Sequence, residues 1–154
     1  MCIEIADYII IKINEMNQVR AGQDRIRLSC KRLQKLIYFS EVRYMQLNNG
    51  KQLFEDNYYA WPSGPVVPEI YYTYVEFQTG EMLPLDEHSG DKLEPNIKII
   101  IKDLLYDTIN MSTEDLIRYS HVKNGPWAKH IYNEGLITKE EIFSFYKGRE
   151  IFVE

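Results

Sequence analysis

The sequence predicts a mainly α protein: a compact single-domain helical bundle around a central helix at about residues 30–48, with a small β-hairpin near residues 52–61. Apolar residues recur with helical spacing in the longest segments. Segment 30–48 is apolar on two sides, which is typical of the central helix of a bundle. The stretch before residue 62 lacks helical periodicity and is rich in aromatic residues. A chain of 154 residues suits one domain, so residues 1–154 are predicted to form a single unit.

The first two helices follow from spacing and end signals. Ile5, Ile9 and Ile13 recur on one face of a predicted helix over residues 3–15. Residues 16–28 form a polar connector without periodicity. Ser29 is a plausible N-cap for the central helix, which the Asn-Gly pair at residues 49–50 is expected to end.

The central helix carries two apolar stripes. A second stripe lies opposite the main one and consists of Tyr38, Val42 and Met45. We expect both stripes to be buried. The alternative is that the second stripe, flanked by Lys31 and Lys35, forms an exposed ridge that binds a partner. The main stripe consists of Leu33, Leu36, Ile37, Ser40, Tyr44 and Leu47.

The stretch after the central helix is expected to turn sharply. Residues 53–54 and 58–61 could form two short strands across a polar turn at 55–57. Two prolines flank Gly64, which is expected to adopt a positive φ. Pro68 suits the first turn of a third helix that continues to about Gly80.

The remaining elements are marked by capping signals. A long polar loop at 79–96 precedes a helix at about 96–110. Ser112 and Thr138 each begin a capping box, which predicts helices through about residues 120 and 147. A further short helix is expected over 126–133. The tail at 151–153 could dock as an edge strand.

Composition restricts the class of protein. Two cysteines and the lack of an apolar leader predict a reduced, cytoplasmic protein, and no apolar run is long enough for a membrane span. A net charge of −5 does not favour nucleic-acid binding. The charge is uneven, because residues 20–35 are basic and residues 76–94 are acidic. These segments are two solvated surfaces that offset each other, or a basic face that meets an acidic partner; nucleic-acid binding through 20–35 is a further hypothesis.

No residue pattern points to an enzyme, a metal or a cofactor. The three histidines are scattered, none pairs with a cysteine at ligand spacing, and nucleotide-binding and nucleophile motifs are absent from the sequence. We expect His121 and Trp127 to tie one corner of the fold together. The alternative gives them a ligand-contact role, in a small-ligand-binding protein or enzyme with a pocket near Trp61, Gly64 and His121.

Four segments together carry a family resemblance. Residues 31–39 read KRLQKLIYF, and residues 53–54 are followed by Ala-Trp at 60–61 and by GPVVP at 64–68. Ser-His at 120–121 is followed by Pro-Trp at 126–127, and ITKEEI at 137–142 completes the series. In this order the segments resemble the Panacea domain, the SocA-like or GepA-like family of antitoxins and phage-associated proteins.

The resemblance implies a non-enzymatic domain that binds and neutralises a cognate toxin, including delivery of that toxin to a protease such as a Clp-type enzyme. Counter-defence in a prophage or mobile element, by binding a host or phage factor, is the alternative it leaves open. No cofactor is implied. The signature and candidate binding residues are Lys35, Tyr38, Ala60, Trp61, Gly64, Pro65, Val66, His121, Pro126 and Trp127.

Overall fold

A computed structural model describes residues 1–77 and 81–153 of the chain. Within these residues the protein is mainly helical, as predicted, with seven α-helices and a small antiparallel sheet. No helix in this part combines the length and apolar character that a membrane span requires. The helices are α1 (Cys2–Asn17), α2 (Cys30–Leu47), α3 (Pro68–Tyr74), α4 (Pro95–Thr108), α5 (Thr113–Ser120), α6 (Pro126–His130) and α7 (Lys139–Tyr146).

Helix α2 is central, as predicted. It packs against α1, α3, α4, α5 and α7, and also against the sheet. Its second apolar stripe is fully enclosed, since Tyr38, Val42 and Met45 are each at most 1% exposed. The exposed-ridge alternative is therefore wrong. Leu47 of the main stripe is 67% exposed, because it is the last residue of the helix.

The β-hairpin lies later in the chain than predicted. Strands β1 (Tyr58–Trp61) and β2 (Gly64–Val66) pair around a two-residue turn, and β3 (Leu136–Ile137) pairs with the other side of β1. The prediction of a strand at residues 53–54 is wrong. There the backbone is bonded by side chains instead: Glu41 accepts from the Leu53 N–H at 2.8 Å, and the Lys139 ammonium donates to the Phe54 carbonyl at 2.6 Å.

The sharp turn before α3 is confirmed. Gly64 has φ +120°, and Pro68 is the first residue of α3. The Gln34 side chain accepts from the Val67 N–H and donates to its carbonyl, both at 3.0 Å, so α2 fixes the entry into α3. A 3-10 turn, Val75–Phe77, follows α3. The predicted end of this helix near Gly80 lies outside the described residues.

Both capping boxes are confirmed, at Ser112 before α5 and at Thr138 before α7. The predicted edge strand at the tail is wrong: residues 151–153 form no strand. Side chains hold the tail instead, because Ile151 is buried and the Phe152 ring packs edge-on to Phe39 with centroids 5.1 Å apart.

Part of the predicted polar loop is anchored by one buried carboxylate. Asp7 of α1 accepts from the Tyr74 hydroxyl at 2.6 Å, from the Leu85 N–H at 2.9 Å and from the Ser89 hydroxyl at 2.7 Å. Burial, and secondarily the hydrogen bond that its hydroxyl donates to Asp7, raises the pKa of Tyr74. Asp7 thus holds the loop before α4 against α1.

Candidate functional site

Lys35 is the buried charge beneath the hairpin. Its side chain leaves the second turn of α2, is fully enclosed, and donates from Nζ to the Pro65 carbonyl at 2.8 Å. Burial, with a smaller contribution from the charge of Lys31, lowers the pKa of Lys35 to about 7. The first signature segment and the Gly-Pro-Val segment therefore meet at this bond.

Gly64 lies directly against this lysine. A Cβ atom at Gly64 would come within 2.6 Å of Lys35 Cε and within 2.6 Å of the Ser120 hydroxyl oxygen. The positive φ independently disfavours a side chain here. There is no room at Gly64 even for a methyl group, so the site is packed at this point.

His121 and Trp127 form a stacked pair beside the same cluster. Their ring centroids are 3.5 Å apart and the planes differ by 5°. The Trp127 indole N–H donates to the Trp61 carbonyl at 2.7 Å, which ties the corner between α5 and α6 to β1. Burial, and secondarily the charge of Lys35, lowers the pKa of His121. We call Lys35, Gly64, Pro65, Ser120, His121 and Trp127 the signature cluster.

Other signature residues lie in the surrounding core. The Tyr38 ring packs edge-on to Tyr58, with centroids 5.3 Å apart, and both rings are fully buried. Ala60 is fully buried on the core face of β1, and Val66 and Pro126 are also buried. These positions are enclosed in the fold and offer no surface to a partner.

One signature residue, Trp61, lies near solvent beside two tyrosines that are not part of the signature. Trp61 alternates with the buried residues of β1 and is half-buried. Its ring packs edge-on to Tyr71, and Tyr71 packs in the same way against Tyr72; both pairs of centroids are 5.3 Å apart. Tyr72 is 69% exposed. We call Trp61, Tyr71 and Tyr72 the aromatic face.

The predicted basic segment is partly internal. Besides Lys35, Arg32 is buried and caps the end of α4, donating to the Met111 carbonyl at 2.8 Å and to the Thr108 carbonyl at 3.0 Å. Four basic residues of this segment remain toward solvent. They are Arg20, Arg25, Arg27 and Lys31.

Two buried polar centres escaped the sequence analysis. One is Asp7; the other is an ion pair between Glu41 and Lys139, with Nζ and Oε2 2.9 Å apart. A signal for both exists in the sequence, because each acid interrupts an otherwise apolar helix face. Neither centre has the ligand set of a metal site, since no three His, Cys, Asp or Glu side chains converge anywhere in residues 1–77 and 81–153.

The sequence of the chain matches the model of one known family. The family described as antitoxin SocA-like, Panacea domain, matches residues 33–128. This range contains the whole signature cluster and the aromatic face. No curated protein and no solved structure shows significant similarity to the chain. Because the matched range is more than half of the 154 residues, the chain belongs to the SocA-like, Panacea-domain family of antitoxins.

Proposed function

We propose that this protein is a non-enzymatic antitoxin that neutralises a cognate toxin by binding it directly. The observation that carries the proposal is the family match over residues 33–128. The ten signature residues support it by their placement. Most are packed inside, where they hold a scaffold, and the half-buried ones present rings beside solvent.

The aromatic face is the proposed contact surface. Tyr and Trp are enriched in the cores of protein interfaces and among the residues that dominate binding energy. Trp61 and Tyr72 lie at the two ends of a continuous series of ring contacts. Such a surface offers a large apolar area to a protein partner.

This surface is held in place before any partner arrives. The carbonyl of Trp61 is bonded to Trp127, and the following turn is fixed by the contact of Gly64 with Lys35. Preorganised side chains lose less conformational entropy on binding. The signature cluster therefore supports binding indirectly, by positioning the aromatic face.

Co-expression with the product of the adjacent gene tests the proposal. The wild-type protein should restore growth of cells that express the toxin and should copurify with it. Tyr72→Ala should lose both effects, because it removes the most exposed ring of the aromatic face. Tyr106→Ala is the matched control: Tyr106 is 64% exposed on α4, outside this face, and should retain both.

Two results would count against the proposal. If the wild-type protein neither rescues growth nor forms a complex, toxin neutralisation is contradicted. If the two tyrosine variants are equally active, the aromatic face is not the contact surface. The toxin's half-life distinguishes two modes of neutralisation. Delivery to a Clp-type protease predicts a half-life that lengthens when the protease gene is deleted, while simple blocking predicts no change.

A further inference from the structure

A groove of about 770 Å³ lies between the connector that precedes α2 and the segment at residues 81–82. Its volume is in the range of sites that bind ligands. It is distant in sequence from most of the signature cluster, and its basic wall precedes the range matched by the family. We call it the basic groove. It is lined by Asn14, Asn17, Gly22, Gln23, Arg25, Ile26, Arg27, Leu28, Ser29, Glu81 and Met82.

Two side-chain amides of α1 fix both walls of the basic groove. Asn17 of α1 accepts from the Ile26 N–H and donates to the Ile26 carbonyl, both at 2.8 Å. Asn14, one turn earlier, donates to the Met82 carbonyl at 3.0 Å. One face of α1 therefore holds the connector and the opposite segment at a set distance.

The charges of the basic groove are available to a partner. Arg25 contacts Glu81 at 3.6 Å, but both side chains are at least half exposed, and such pairs contribute little. Arg27 is exposed, and its guanidinium makes no hydrogen bond or ion pair with the described residues. A carboxylate from a partner could pair with Arg27 and replace Glu81 at Arg25.

Part of the backbone of this wall is also unpaired. The connector is extended at Arg25 and at Ser29, with ψ of 130° and 167°. Among the described residues, the N–H and carbonyl groups of Arg27 and Leu28 have no hydrogen-bond partner. The Ile26 backbone faces Asn17 of α1. In an extended chain the next residue directs its backbone groups to the opposite side, so an added peptide strand can pair with Arg27.

We propose that the basic groove is a second binding surface, which takes an extended acidic peptide segment of a protein partner. Carboxylates of the segment pair with Arg25 and Arg27, its backbone pairs with that of Arg27, and its apolar side chains contact Ile26 and Met82. The chain as a whole carries −5, so an acidic segment is repelled elsewhere and attracted here.

Fluorescence anisotropy with a labelled peptide of alternating Glu and Val tests this surface. Wild-type protein should bind it, and should bind the same peptide with Gln for Glu at least about tenfold more weakly. Arg25→Glu combined with Arg27→Glu should reduce affinity for the Glu peptide at least about tenfold. Lys51→Glu combined with Lys102→Glu makes the same change in net charge at other exposed sites and should bind like wild type.

Three outcomes would overturn the inference: no binding of the Glu peptide by wild type, equal loss in both double variants, or tighter binding of single-stranded or duplex DNA than of the peptide through the same arginines. The peptide-binding test is independent of the toxin-neutralisation test, which uses the Tyr72 variant. Peptide binding can be absent while rescue by co-expression persists, and rescue can be absent while the peptide binds.

Discussion

The signature cluster and the basic groove each contain a glycine with positive φ, yet their surroundings are opposite. A Cβ atom at Gly64 would overlap Lys35 and Ser120, whereas a Cβ atom at Gly22 would meet nothing within 4 Å. The charges differ in the same way, since Lys35 is enclosed and Arg27 faces solvent. The motif most visible in the sequence thus stabilises a turn, while the less distinctive connector leaves the Arg27 side chain exposed.

Alanine at the two glycines should show the largest contrast. Positive φ costs a residue with a side chain roughly 1–2 kcal/mol at either site. Gly64→Ala adds overpacking against Lys35, which typically costs about 1–3 kcal/mol more. Urea denaturation should therefore give a clearly lower midpoint for Gly64→Ala than for Gly22→Ala. Similar midpoints would mean that the cluster rearranges easily and is not tightly packed.

Trp61→Ala is the next largest effect. A fully buried ring would cost about 3–5 kcal/mol, but Trp61 is half-buried, so we expect about 2 kcal/mol. The exposed ring of Tyr72 serves as control, and Tyr72→Ala should change the unfolding free energy by less than about 1 kcal/mol. Thermal and urea melts measure both. If Trp61→Ala lowers the unfolding free energy as much as removal of a fully buried ring, Trp61 stabilises the fold and is not mainly a contact residue.

The pH dependence of stability should report the burial of Lys35. In the unfolded chain the Lys35 ammonium has its ordinary pKa of 10.5, while in the folded protein its pKa is about 7. Between these values the unfolded state binds more protons, so the Lys35 contribution makes stability rise with pH, by at most about 1.4 kcal/mol per pH unit.

Lys35→Met isolates this contribution, because all other groups titrate in both proteins. Unfolding free energies measured by urea at several pH values should give a wild-type-minus-variant difference that grows from pH 7 upward. His121 has a lowered pKa as well, but it changes charge below this window. A difference that stays constant with pH would show that Lys35 remains charged in the fold.

Charge reversal at the basic groove should have the smallest effect on folding. Arg25→Glu combined with Arg27→Glu removes only one exposed ion pair, so the unfolding free energy should change by less than about 0.5 kcal/mol. Arg32→Gln is the contrast: it weakens two bonds to backbone carbonyls at the end of α4 and should destabilise more. A large loss from the exposed pair would show that the connector's charges are structural.

Local signals in the sequence determined much of this fold. The two-sided apolar pattern of residues 30–48 identified the central helix because burial on both faces requires it. Ser112 and Thr138 identified helix starts because a capping box involves only residues three apart. Gly64 and Pro68 marked the turn because each acts on its own backbone: glycine permits a positive φ, and proline fixes φ at the start of α3.

What only the tertiary structure decided depends on distant partners. Residues 53–54 read as a strand, but Glu41 and Lys139 bond their backbone, and those side chains come from 12 residues before and 85 residues after. Among the basic residues at 20–35, composition could not tell that Lys35 is enclosed beneath Pro65 while Arg27 is free. Helical spacing and capping follow from neighbouring residues, whereas the partner of a buried charge or an unpaired carbonyl is known only when the helices pack.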